Sequence, residues 1–186
     1  MSLYKALFMD EQDYWLSNYH ELIETLIYSA VCFLVPFLLG HDQLTTGIIV
    51  NTALILAALN LKNEKLLPVI LLPSLGVLSR GIIFGPFTIF LVYMIPFIWI
   101  GNFLLVYLIK KIHLNSNRNR WLALGLASLI KTAFLFASAF ILVSFAIIPK
   151  PFLISMGIIQ LITAIAGGIL AFSLQKLKKN QFFITL

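Results

Sequence analysis

The chain has 186 residues, of which 61% are hydrophobic and 11% charged, with 13 Lys and Arg against 7 Asp and Glu. So few charges cannot cover a water-soluble domain of this length, whereas apolar runs recur near the length of about 20 residues that crosses ~30 Å of hydrocarbon. The composition excludes a soluble protein and predicts an all-α, polytopic membrane protein, with one integral membrane domain over 1–186.

Residues 1–20, "MSLYKALFMDEQDYWLSNYH", carry Asp10, Glu11 and Asp13. They lack the basic start, compact apolar core and small-residue cleavage site of a signal peptide. The segment reads as an amphipathic interfacial helix anchored by Tyr4, Phe8, Tyr14, Trp15 and Tyr19. Six spans are predicted within 21–175, at 22–39, 46–61, 66–80, 86–109, 121–148 and 152–175, followed by a basic cytoplasmic tail over 176–186. Pro68, Pro73 and the following "SRGIIFGP" predict a broken or tilted third span. Irregular backbone at membrane depth requires protein around it or a wet cavity beside it.

Basic residues set the expected topology of this six-transmembrane-helix bundle. An even number of spans puts both termini on one side. With that side cytoplasmic (N-in, C-in), Lys5, Lys62, Lys65, Lys110, Lys111, Arg118, Arg120, Lys176, Lys178 and Lys179 are inside, ten against Arg80 and Lys150 outside. The same asymmetry assigns the formal net charge of +6 to lipid headgroups, with no nucleic-acid partner. A multi-pass protein of the cell (inner, cytoplasmic) membrane is expected.

Polar residues inside the spans are the candidate site. Lys131, in "LASLIKTAFLFASAF", lies eleven residues beyond Arg120. That is roughly 16 Å along a helix and too deep for easy snorkelling. Ser128 and Ser138 share its face. An ionisable side chain at this depth faces a cavity or a partner. Asn51, in "LTTGIIVNTALILAA", and Gln160, in "MGIIQLITAIAGGILAF", sit below the outer surface, and Asn102, with Trp99 one turn above, interrupts "YMIPFIWIGNFLLVYLIKK". Arg80 ends the third span, where it also suits a lipid phosphate. Each amide, taken alone, also suits a simple interhelical bond, and Thr163, Ala164, Gly167 and Ala171 continue the Gln160 stripe as a close-packing surface. Converging, these faces predict an outward-facing polar cavity floored by Asn102 and Lys131.

No enzyme is predicted. No acidic residue follows Glu64, so the later spans hold no carboxylate for acid–base work. There is no GxSxG, HExxH or Walker A pattern. Cys32 is alone, and His20, His41 and His113 are widely separated, so no disulfide, metal site or cofactor is expected.

The segments "TTGIIVNTALILAA", "LLPSLGVLSRG", "MIPFIWIGNFLLV", "SLIKTAFLFASAF" and "QLITAIAGGILAF" resemble, in order, those of small bacterial membrane proteins classed with the substrate-binding S components of energy-coupling factor (ECF) transporters. The resemblance spans roughly 44–172. It implies a six-helix subunit that captures a micronutrient outside and passes it to a membrane coupling subunit and a cytoplasmic ATPase pair. It matches the family's motif residues at Asn51, Asn102, Lys131 and Gln160. Two departures stand out. The small-xxx-small docking pattern of the first helix is missing, since Ser29 and Ala30 are followed four residues later by Phe33 and Leu34. Residue 2 is Ser rather than the His of metal-specific members, which argues against nickel or cobalt. The expected ligand carries anionic or carbonyl groups, with Trp99 placed to stack a ring. A scaffold protein and a stand-alone permease are the alternatives, the latter weakened by the missing carboxylates and inverted repeat.

Overall fold

The computed structural model describes residues 12–13, 16–39, 42–84 and 88–184, and within them all regular structure is helical. The elements are α1 (Asn18–Leu39), α2 (Gln43–Asn60), α3 (Leu66–Phe84), α4 (Thr88–Ile109), α5 (Arg120–Ser144), a short α6 (Pro151–Met156) and α7 (Ile158–Ile184). Five stretches are long and apolar enough to cross a bilayer: Asn18–Leu39, Gln43–Asn60, Phe90–Asn115, Arg120–Ser144 and Pro151–Lys179. They mark the chain as a multi-pass membrane protein.

The third expected span is the 19-residue helix α3, continuous rather than broken. Pro68 falls in its first turn, where a missing N–H costs no intrahelical bond. Pro73 lies inside the helix and deprives the Val69 carbonyl of its usual donor. The next two carbonyls, of Ile70 and Leu71, accept side-chain bonds from α4. Gly76 completes the fit, because a Cβ there would come within 2.4 Å of the Phe33 carbonyl oxygen on α1.

At the centre lies α2, with every residue from Val50 to Asn60 buried. Its most extensive partner is α7, while α1 packs chiefly on α3 and α4 on α5. Outward faces are apolar, as with Leu22, Leu26 and Leu38 on α1 and Leu129, Phe136 and Phe140 on α5. That is the solution a lipid solvent selects.

The end where α1 begins and α2 and α7 finish is tied by a polar network. Glu21, which is 1% exposed, accepts from Lys65 Nζ at 2.6 Å and from the Lys62 backbone N–H at 2.9 Å. Glu24 pairs with Lys178 and accepts from the Tyr28 hydroxyl at 2.8 Å and Asn60 Nδ2 at 3.0 Å. Gln175 Nε2 donates to Asn60 Oδ1 at 2.8 Å and Asp13 Oδ2 at 3.0 Å, and Lys179 pairs with Asp13 at 2.8 Å.

Two details differ from the sequence expectation. Of the interfacial helix expected over 1–20, Gln12, Asp13, Leu16 and Ser17 are described and non-helical, while Asn18–His20 open α1. Asp13 donates its N–H to the Leu59 carbonyl, so this segment lies across the bundle end and is held there by hydrogen bonds. Tyr4, Phe8, Tyr14 and Trp15 lie outside the described residues. The expected tail over 176–186 instead continues α7 as far as Ile184, with Lys178 and Lys179 serving as its anchors to Glu24 and Asp13.

Candidate functional site: a polar cavity between the helices

Lys131 lies near the middle of α5, and its side chain is almost fully buried. Its ammonium donates to Asn51 Oδ1 on α2 at 2.7 Å. No carboxylate pairs with it among the described residues. An ammonium has three donors and no acceptor, so one neutral amide leaves most of its capacity unused. A buried charge in that condition is expensive unless something else approaches it.

The bond from Lys131 also sets the amide of Asn51. With Oδ1 turned to the amine, Nδ2 donates to Thr163 Oγ1 on α7 at 3.2 Å. The Thr163 hydroxyl then donates to the Gln160 carbonyl at 3.2 Å. Every donor in this relay points the same way, from α5 through α2 to α7, an arrangement in which each bond polarises the next. Close contact of α2 and α7 makes the relay possible. Gly167 is the reason, since a Cβ there would lie 2.8 Å from both the Asn51 Cβ and the Ile48 carbonyl oxygen. One turn on, Thr52 donates to the Gly167 carbonyl at 3.1 Å.

Beside the relay is a cavity of about 290 Å³. Asn51, Asn102, Lys131 and Gln160 all line it, together with Gln43, Thr46, Ser74 and Thr163. Apolar walls come from Pro36, Val50, Val77, Leu91, Ile98 and Ile159. Most of these residues lie toward the end where α2 and α7 begin, opposite the polar network. Asn102, nearly buried, donates Nδ2 to the Ile70 carbonyl at 3.1 Å. Gln160 contributes a side chain that makes no hydrogen bond among the described residues.

The other two candidates lie elsewhere. Arg80 donates to the carbonyls of Phe37 and Leu38 at 2.9 and 2.8 Å, satisfying the C-terminal end of α1. Trp99 donates Nε1 to Ser74 Oγ at 2.7 Å and to the Leu71 carbonyl at 3.2 Å. It thereby fixes a hydroxyl that does line the cavity, but does not line it itself. Ser128 and Ser138 are buried on the same helix as Lys131, and neither lines the cavity.

Sequence reasoning did not single out Ser74, Gln43 or Thr46. Ser74 carried a weak signal, as a hydroxyl directly after a mid-helix proline. Gln43 and Thr46 had none, because polar residues at a helix start are ordinary. Among the described residues no three His, Cys, Asp or Glu side chains gather at one point, so the cavity works with amine, amide and hydroxyl groups alone. Comparison with protein-family models, curated proteins and solved structures finds no match.

Proposed function

We propose that the chain is a membrane-embedded solute-binding subunit of an ECF-type importer, with six spans and both termini in the cytoplasm of the cell that carries it. The supporting observation is Lys131: a buried amine that no carboxylate meets among the described residues, lining a cavity large enough for a small molecule. A lysine placed only to join helices would be met by a carboxylate or by several carbonyls. No His, Asp or Glu lines the cavity among the described residues, which favours binding over catalysis.

Charge supports this orientation. Lys62, Lys65, Arg120 and Lys178 lie toward the end where α1 begins and α2 and α7 finish, which favours that end inside and the cavity in the outer half. On this orientation Gln43, Thr46 and Gln160, near the starts of α2 and α7, lie toward the outside, and Asn102 and Lys131 lie deeper. The partners this reading requires are a membrane coupling subunit and a pair of cytoplasmic ATPases, because the chain has no nucleotide-binding motif of its own. The scaffold reading has the interhelical bonds in its favour: Asn102 joins α4 to α3, Asn51 joins α2 to α7, and Lys131 joins α5 to α2.

The experiment is to purify the protein from its native membranes and analyse released small molecules and associated proteins by mass spectrometry. A stoichiometric solute, lost when Val77→Trp fills the cavity, together with an ATPase pair, is the expected result. A protein that carries no solute and retains no ATPase contradicts the proposal.

A further inference from the structure

The binding site proposed above has one sign of charge and one approximate size, and together these narrow its ligand. Among the described cavity-lining residues Lys131 is the one ionisable group, and the remaining polar members are neutral amides and hydroxyls. A ligand with a single negative charge makes the occupied site neutral. A cation would put two like charges in a low-dielectric space, and a dianion would leave one charge uncompensated.

Lys131 is also prepared for an anion in its geometry. Its one hydrogen bond, to Asn51 Oδ1 at 2.7 Å, leaves two N–H donors for a carboxylate. Asn51 cannot swing away cheaply, since its other end is held by Thr163 at 3.2 Å. The ammonium is therefore positioned before a ligand arrives, which reduces the ordering cost of binding.

Size comes from the volume. About 290 Å³ lies at the low end of the range for small-molecule sites and suits a ligand of modest size. Pro36, Val50, Val77, Leu91, Ile98 and Ile159 require that much of this ligand be apolar.

We infer that the cavity selects small organic monoanions, with a carboxylate or equivalent group on Lys131 Nζ and an apolar body against the helix walls. This rests on the binding reading above but goes beyond it, since a neutral or cationic solute would satisfy that reading and contradict this one.

The test uses the full chain in nanodiscs of phosphatidylcholine, which contain no anionic lipid to compete. Probes are benzoate and the linear monocarboxylates from butyrate to octanoate, with their primary amides, their amines and the corresponding dicarboxylates. Binding is read from thermal shift and from the 15N signal of the Lys131 ammonium. Monocarboxylates are expected to bind at least roughly tenfold tighter than the matched amides, amines and dicarboxylates, as one charge-assisted contact implies. Lys131→Met removes that preference and Lys131→Arg retains part of it. Asn51→Asp supplies an internal counter-ion and also abolishes monocarboxylate binding in a folded protein. Equal binding of amides or amines, unchanged carboxylate binding by Asn51→Asp, or no carboxylate response at about 10 mM overturns the inference. Recovery of a neutral solute from native membranes overturns it too, while leaving the binding proposal intact.

Discussion

Lys131 is costly where it lies. Desolvating an ammonium costs several kcal/mol even after relaxation, and a single amide acceptor offsets only part of that. The empty protein should therefore be more stable without the charge. Lys131→Met, similar in volume and apolar, is expected to hold or raise stability by about 1 kcal/mol in thermal or denaturant unfolding of the nanodisc-embedded protein. A loss of more than about 2 kcal/mol would instead assign the lysine to holding the bundle together. Its depth, and its lack of an acidic residue one turn away, were legible in the sequence because nothing in "SLIKTAF" explains a charge. Its contact with Asn51, eighty residues earlier, was not. Neither was the turn of Arg80 back onto the carbonyls of α1, since a boundary arginine meets lipid phosphate or a helix end equally well.

Helix ends carry the second group of predictions. Beyond α5 the chain stops in a paired-bond cap: the Ala146 N–H donates to the Val143 carbonyl and the Ile147 N–H to the Leu142 carbonyl, both at 2.9 Å. Ala146 has φ 55°, a left-handed conformation that favours glycine. Ala146→Gly is expected to stabilise the protein by about 1 kcal/mol, measured by thermal unfolding. At the start of α2, Asp42 caps the helix by accepting from the Leu44 and Thr45 N–H groups at 3.1 Å each. Its carboxyl is held below the ordinary value, first by the Thr45 side chain and then by the backbone bond from Thr45. A lowered value means the cap contributes fully above about pH 4 and is lost as pH falls through the lowered value. Amide exchange at residues 44–46 should accelerate in that acid range, and Asp42→Asn should remove the pH dependence. Five apolar helices of bilayer length were legible because such runs have few other uses. The break between α6 and α7 at Gly157 was not, because "PFLISMGIIQ" is apolar throughout.

Across the whole molecule, one end is made rigid and the other encloses space. The network of Glu21, Glu24, Asn60 and Gln175 joins α1, α2, the turn before α3 and α7, and holds the segment preceding α1 in place. Asn60 is fully buried and connects both halves of it. Asn60→Ala leaves buried partners without bonds and is expected to destabilise the fold by about 1–3 kcal/mol, with little effect on solute affinity because the cavity lies at the opposite end. Nothing in the sequence marks Glu21 and Glu24 as buried; only their tertiary partners show it, Lys62 and Lys65 for Glu21 and Asn60 and Lys178 for Glu24. The convergence of four polar side chains from α2, α4, α5 and α7 on one cavity is the central feature of the molecule. Native mass spectrometry of the protein released from its own membranes tests its meaning most directly. The wild type should carry one small molecule per chain, and Lys131→Met, folded to the same extent, should carry none. Retention of the same molecule by Lys131→Met, at the same occupancy, contradicts the account.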